Sequence, residues 1–145
     1  MATIQVELVT PEKVVLQTSA ESVVLPAFEG QMGVLPGHQP FLVELTPGEI
    51  RVTIEGEAIC FAVAGGFAEV QRDRVSVFAE TAEMADEIDT ERALQALERG
   101  KSQMVQGRLE PMALAQAEAA IRRAQVRLRV AEMGRHRRAH KPQHG

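Results

Sequence analysis

The chain of 145 residues is poor in aromatic side chains. It has five Phe and no Trp or Tyr, so aromatic residues make up only 3% of the sequence. Apolar residues reach 45%, and we therefore expect a core built from aliphatic side chains. The scarcity of aromatic residues also argues against single-stranded nucleic-acid binding, which usually depends on stacking of bases on aromatic rings.

The sequence has a single cysteine, Cys60, within the apolar run EAICFAVAG. One thiol cannot close an internal disulfide, which suits a reducing compartment. Its apolar neighbours predict a buried, unreactive thiol rather than a nucleophile.

Membrane signals and enzyme motifs are also missing from the sequence. The opening MATIQVELVT has no basic start and no long apolar run, so we expect no signal peptide. No stretch approaches 18 apolar residues, and any membrane association should come through a partner. No phosphate loop, dinucleotide fingerprint or HExxH motif is found, so the sequence gives no sign of an enzyme or of a required cofactor.

Four histidines are the remaining candidates for chemistry. His38 lies in a glycine- and proline-rich stretch, where a turn residue bonded to backbone is favoured over catalysis and a contact surface stays open. His136, His140 and His144 could bind a metal, but a solvated basic tail is the favoured interpretation. We therefore predict no metal site.

Charge divides the chain into two regions. Residues 1–85 carry 4 basic and 12 acidic residues, a net charge of −8, whereas residues 86–145 carry 12 basic and 8 acidic residues, a net charge of +4. Such a reversal indicates two regions with different partners.

The first region has the short alternating runs of β-strands. Ile50, Val52 and Ile54 alternate with polar residues before a turn at Gly56, and the runs around Val70 and Val75 repeat that pattern. We predict an antiparallel β-sandwich or flattened barrel over residues 1–85. The stretch EGQMGVLPGHQP, residues 29–40, shows no alternation and is predicted to be one long loop.

The second region changes to a helical period and predicts an antiparallel two-helix hairpin over residues 86–134. Asp86 or Asp89 could cap its first helix, in which Gly100 is expected to be a weak point. Gly107 should end that helix, and Pro111 should open the second. The basic remainder, residues 135–145, is predicted to be a disordered tail.

One family carries these features in the same order. The segment SVVLPAFEGQMGVLPGHQPFLVELTPGEIRV, followed by AVAGGFAEVQRDRVSVFAETAE and EIDTERALQAL, resembles the epsilon subunit of bacterial F-type ATP synthases over nearly the whole chain. The resemblance implies a non-catalytic subunit of the rotating central stalk, bound to the gamma subunit and standing on the ring of c subunits. It also implies a location at the cytoplasmic face of the bacterial plasma membrane.

The resemblance assigns a docking role to the stretch that begins at Glu29. In the family this stretch meets the polar loops of the c ring, and the implied contact residues here are Glu29, Gln31, Pro36, Gly37 and His38. Many relatives carry an acid where this chain has Gln31, so a hydrogen bond rather than an ion pair is expected there.

The resemblance also makes the helical hairpin a regulatory element that inhibits ATP hydrolysis when it extends toward the alpha and beta subunits. The implied contacts with acidic groups of beta are Arg122, Arg123, Arg127 and Arg129. Some relatives bind ATP in the folded hairpin through the motif I/L-D-x-x-R-A, which makes ATP a possible regulatory ligand. The implied ATP-binding residues are Ile88, Asp89, Arg92, Ala93, Arg99, Arg123 and Arg127.

Simpler interpretations stay open for these residues. Asp89 and Arg92 can cap and pair within the helix, and arginines on helix surfaces are usually solvated. Two other classes of function are compatible with the sequence, a stand-alone ATP sensor and a nucleic-acid binder that uses the basic tail. An acidic sandwich with few aromatic residues disfavours the second of these.

Overall fold

The structure, a computed structural model, describes residues 2–107 and 109–139, with side chains as far as Met133. It divides into two compact units, residues 1–84 and residues 85–145. The first unit contains ten strands: β1 (Ile4–Val9), β2 (Val14–Ala20), β3 (Ser22–Ala27), β4 (Gly30–Val34), β5 (Phe41–Leu45), β6 (Gly48–Ile54), β7 (Glu57–Val63), β8 (Gly66–Val70), β9 (Arg74–Ala79) and β10 (Ala82–Met84). The second unit contains α1 (Thr90–Val105) and α2 (Pro111–Ala139).

The strands pair in the order β10-β7-β6-β3-β5-β8-β9-β1-β2, and β4 pairs with β3 beside this path. The sheet curls into a β-sandwich, as the alternating pattern predicts. One pair departs from the prediction of an antiparallel sheet, because β1 runs parallel to β9 with Gln5 beside Arg74. Parallel neighbours need a long connection between them. Here the other strands of the sandwich provide it.

The two hairpins with the clearest alternation are confirmed. Ile54 of β6 pairs with Glu57 of β7 across a turn at Gly56, and Val70 of β8 pairs with Val75 of β9. Gly66 opens β8 with a φ of 134°, and a Cβ at this position would lie 2.1 Å from the carbonyl oxygen of Phe78. Only glycine therefore lets β8 approach β9 at this point.

The core of the sandwich is aliphatic, with Phe61 as its one fully buried aromatic residue. Alternate residues of the strands enclose it, and those buried side chains are Ile4, Val6, Leu8, Val23, Leu25, Val34, Ile50, Val52, Phe61, Val63, Val70, Val75 and Val77. The predicted burial of Cys60 is confirmed, since this side chain is 4% exposed.

The second unit begins with a single 3-10 turn, Ala85–Glu87, followed by α1. Asp89, and not Asp86, caps α1, because its Oδ1 accepts a hydrogen bond of 3.1 Å from the backbone N–H of Arg92. Gly107 takes a φ of 71° after the last turn, and its N–H donates to the carbonyl of Met104. The predicted end of α1 and the predicted start of α2 at Pro111 are both confirmed.

Gly100 lies at a close contact between α1 and α2. Its Cα faces the second helix, and a Cβ at this position would lie 2.6 Å from Cγ1 of Ile121 and 3.5 Å from the carbonyl oxygen of Ala117. The residue that the sequence marked only as a weak point of the helix is therefore a contact point between the helices. Ala93 and Leu97 are also buried and lie on the same face of α1.

The predicted boundary at residue 134 is wrong. Helix α2 continues through Gly134 to Ala139, because an internal glycine lowers helix stability by only about 1 kcal/mol and the arginines around it are good helix formers. The remaining part of the predicted tail, residues 140–145, lies outside the described residues and includes His140 and His144.

Candidate docking surfaces

The first surface is the tip of the β3–β4 hairpin. Ala27 pairs with Gly30, so Phe28 and Glu29 form a two-residue turn. Phe28 is 84% exposed, and Glu29 and Gln31 are also exposed. The family resemblance assigned Glu29 and Gln31 to docking but gave no role to Phe28.

The second surface is the turn from Leu35 to His38. Gly37 has a φ of 86°, and its N–H donates a hydrogen bond of 2.8 Å to the carbonyl of Arg72. The backbone N–H of His38 donates to the carbonyl of Leu35, and its Nδ1 lies 2.9 Å from the carbonyl of Gln39. The interpretation of His38 as a turn residue bonded to backbone is therefore confirmed.

These two surfaces lie at opposite ends of β4, so the prediction of one long loop over residues 29–40 is wrong. Gly30 pairs with Ala27 and Val34 pairs with Val23, and the strand between them spans roughly 14 Å. The stretch lacks alternation because β4 lies beside the main path of the sheet with only one of its residues, Val34, fully buried.

The five predicted docking residues therefore lie in two groups. Glu29 and Gln31 belong to the hairpin tip, whereas Pro36, Gly37 and His38 follow the other end of β4.

A third surface, which the sequence reasoning missed, is an apolar face on the outside of β5, β8 and β9. Leu42, Phe67 and Phe78 are 72%, 53% and 45% exposed. Phe67 and Phe78 are cross-strand partners, with ring centroids 6.2 Å apart. Glu44 is the cross-strand partner of Phe67, so a carboxylate borders this apolar face.

The signal for the apolar face was present in the sequence. Strand β5 reads FLVEL, in which Leu42 occupies an outward position between the inward-facing Phe41 and Val43. An apolar residue on the outward side of a half-buried strand breaks the alternation, and such breaks on three neighbouring strands mark an interaction surface. Only the strand order shows that these positions are adjacent.

The candidate ATP-binding residues of the second unit differ in exposure, since some are buried and others face solvent. Ile88 and Ala93 are buried, and the carboxylate of Asp89 is engaged as the cap of α1. Arg92 and Arg99 are exposed on α1, and Arg99 borders a shallow groove together with Leu94, Gln95, Glu98 and Ser102. This arrangement agrees with the capping role left open for Asp89.

The arginines of α2 give the second unit a basic surface. Arg122, Arg123 and Arg129 are exposed, whereas Arg127 is half-buried with its Nε buried. Arg122 and Arg129 are seven residues apart and share one side of the helix. Guanidinium groups presented in this way can form paired hydrogen bonds with carboxylates of a partner.

Within the described part of the chain, no group of three or more His, Cys, Asp or Glu side chains could hold a metal ion. Over the same residues, no helix is long and apolar enough to cross a membrane.

The fold is a β-sandwich with three exposed candidate surfaces, followed by a two-helix unit with exposed arginines. A family model described as the ATP synthase delta/epsilon chain beta-sandwich domain matches residues 3–85, and a model of the long alpha-helix domain of the same chain matches residues 86–132.

Curated relatives and a solved structure agree with the family models. An ATP synthase epsilon chain of Herpetosiphon aurantiacus is 46% identical over 134 residues, which cover 92% of this chain and 98% of the relative. One of Dehalococcoides mccartyi is 42% identical over 93% of this chain and 96% of the relative. A chain in the cryo-EM structure of Euglena gracilis mitochondrial ATP synthase, comprising OSCP, F1 and the c-ring, is 27% identical with a TM-score of 0.79, covering 92% of this chain and 82% of that one.

The chain belongs to the ATP synthase delta/epsilon family, as an epsilon chain of the central stalk. It is thus a non-catalytic subunit, and ATP synthesis and proton transport follow from the whole complex.

Proposed function

We propose that the sandwich joins the gamma subunit to the c ring, and that its apolar face is the gamma contact. The exposure of Leu42, Phe67 and Phe78 carries this proposal, because exposed apolar side chains that cluster in this way typically mark a protein interface. The acidic rim at Glu44 and the net charge of −8 in residues 1–85 favour a partner surface with basic groups around an apolar centre.

The β3–β4 hairpin tip is the proposed contact with the c ring. Glu29 offers a carboxylate to a basic ring loop, and Gln31 offers a hydrogen bond nearby. Pro36, Gly37 and His38 are assigned a second, separate contact, because they lie beyond the other end of β4. Through these partners the chain is held at the cytoplasmic face of the bacterial plasma membrane.

The helical hairpin is the proposed brake on ATP hydrolysis. Residues 86–145 carry a net charge of +4, and the exposed guanidinium groups of Arg122, Arg123 and Arg129 suit acidic groups on the beta subunit. Arg127 is half-buried, so its guanidinium is less accessible to beta than those of the other three arginines.

Gel filtration tests the gamma contact. The full chain should co-elute with gamma, and Leu42→Ser and Phe67→Ser should each weaken binding about tenfold, because each removes a large part of one apolar side chain from the interface. Val105→Ser is the matched control, since Val105 is 86% exposed but lies on α1, in the second unit. Equal losses for the control and for the face variants would refute the assignment.

ATP hydrolysis by a complex that lacks this subunit tests the brake. The full chain should inhibit, whereas a chain ended at Ala85 should bind without inhibiting, because the complete sandwich core lies within residues 1–84. Arg122→Ala with Arg123→Ala should relieve inhibition at least threefold. Lys101→Ala, an exposed cation on α1, should not. If the truncated chain inhibits as strongly as the full chain, the hairpin is no brake.

ATP as a regulatory ligand of the hairpin is a second proposal. It is supported by the intact motif from Ile88 to Ala93 and by the exposed guanidinium of Arg99 beside its groove. Calorimetric titration of the full chain with magnesium-free ATP should give heat that Arg99→Ala abolishes. The absence of heat at millimolar ATP would refute it and, with it, the stand-alone sensor.

A further inference from the structure

Phe28 is placed where an aromatic residue has no structural use. It occupies one of two turn positions at the hairpin tip and is 84% exposed. Such turns usually hold Asn, Asp or Gly. The chain has only five aromatic residues, and the one at the tip is the most exposed of the large apolar side chains that the structure describes in the sandwich. An exposed aromatic side chain at a protruding position is typical of an interface hot spot.

The base of the hairpin holds this tip in a fixed position. Pro26 is buried, and its carbonyl accepts a hydrogen bond of 2.9 Å from the backbone N–H of Thr46. Gly48 packs against the Pro26 ring so closely that a Cβ would lie 2.6 Å from it. Gly30 completes the turn with a φ of 131°, which an L side chain rarely adopts. A tip held in this way loses little conformational entropy on binding.

We propose that Phe28 is the specificity-determining anchor of the ring contact, seated in an apolar notch between neighbouring copies of the ring subunit. This inference rests on the proposed function, in which the hairpin tip docks on the ring. The partner chemistry follows from the tip itself, since an aromatic ring followed by the carboxylate of Glu29 matches an apolar notch bordered by a cation.

Because the ring is built from identical subunits, an apolar side chain such as Phe28 is useful beside the charge of Glu29. An ion pair of Glu29 with a cation that recurs around the ring can be exchanged for the equivalent pair one subunit further along. A side chain seated in a notch resists this sliding, because it must leave the notch before it can enter the next. Phe28 therefore fixes the position of the sandwich on the ring, and Glu29 contributes attraction that salt weakens.

The test is equilibrium binding of the full chain to two detergent-solubilised preparations that lack this subunit, the whole complex with its ring and the ringless catalytic part with gamma. The wild-type chain should bind the ring-containing preparation more tightly. Phe28→Ser should weaken that binding about 10- to 100-fold, because it removes an aromatic side chain that is buried in the contact. This loss should be nearly the same at low and at high salt. It should leave binding to the ringless preparation unchanged.

Three variants complete the design. Phe28→Leu should keep most of the affinity because it keeps an apolar side chain. Glu29→Gln should weaken binding to the ring-containing preparation at low salt and leave it unchanged at high salt. Val105→Ser, at an exposed position on α1, should match the wild type on both preparations. Unfolding temperatures equal to that of the wild type are expected for Phe28→Ser, since the side chain is exposed.

The outcomes distinguish the role of Phe28 from the proposed ring contact itself. If the ring adds affinity for the wild-type chain and Phe28→Ser binds equally well, the anchor is refuted and the proposed ring contact stands. If Phe28→Ser weakens binding equally on both preparations, the residue acts on gamma and the anchor is refuted. If the ring adds no affinity for the wild type, the proposed ring contact fails and the anchor fails with it.

Discussion

Gly100→Ala should destabilise the helical hairpin even though it improves the helix propensity of α1. In an exposed helix interior this change stabilises by about 1 kcal/mol. At Gly100 the new Cβ lies 2.6 Å from Cγ1 and 3.3 Å from Cδ1 of Ile121, against a normal carbon–carbon contact of about 3.5–4.0 Å. Overpacking of this kind costs roughly 1–3 kcal/mol. A net loss of about 1 kcal/mol is therefore expected.

Hydrogen exchange of α1 peptides in the full chain measures this loss directly, because it reports the free energy of opening for the hairpin alone. Ser102→Ala is the matched control: Ser102 is exposed on the same helix, so the substitution improves propensity without crowding and should increase protection. Gly100→Ala should reduce protection. If both variants increase protection equally, the close approach of the helices imposes no cost and the reasoning is refuted.

A second substitution identifies the crowded side chain. Ile121→Ala alone leaves a gap beside Gly100, whereas in the double variant the new methyl group at position 100 occupies part of that gap. The two changes should therefore be less destabilising together than the sum of the single changes, by at least about 1 kcal/mol. Additive losses would show that the new methyl group does not meet the side chain of Ile121.

Three further predictions concern single positions. Gly66→Ala should lower the free energy of unfolding, measured with urea, by more than about 3 kcal/mol, because the new Cβ would collide with the Phe78 carbonyl. Gly56→Ala should lower it by only about 1 kcal/mol, because the φ of 79° is strained for alanine but no atom lies within 4 Å of the new Cβ. Asp89→Ala should lower protection of the first turn of α1 by about 1 kcal/mol, and Asp89→Ser should restore it; equal exchange in all three chains would exclude the cap. Cys60 should react with a thiol reagent only after unfolding, and rapid labelling of the native chain would contradict its burial.

Local features of this fold were predictable because their causes lie within a few residues. The β6–β7 hairpin follows from alternation on both sides of Gly56. The start of α1 follows from the carboxylate of Asp89, which accepts a hydrogen bond from the backbone N–H three residues later, and the end of α1 follows from Gly107. Each of these depends on the chemistry of one short segment.

The features that were missed depend on contacts between distant residues. Nothing in the residues around Gly100 indicates that Ile121 packs against it. Likewise, β4 is a strand because β3 offers a partner edge, since its own residues lack alternation. The apolar face joins Leu42, Phe67 and Phe78 only through the pairing of β5, β8 and β9.

The position of β4 changes what the docking stretch can do. A continuous loop would bend under load, but β4 is hydrogen-bonded to β3 along its length, and each end is tied to another part of the sandwich. Pro26 at the base of the tip is bonded to Thr46, and Gly37 at the other end is bonded to Arg72. A force applied at Phe28 therefore passes into the whole sheet rather than into a hinge. A rigid connection of this kind is what the proposed coupling of a rotating ring to gamma requires.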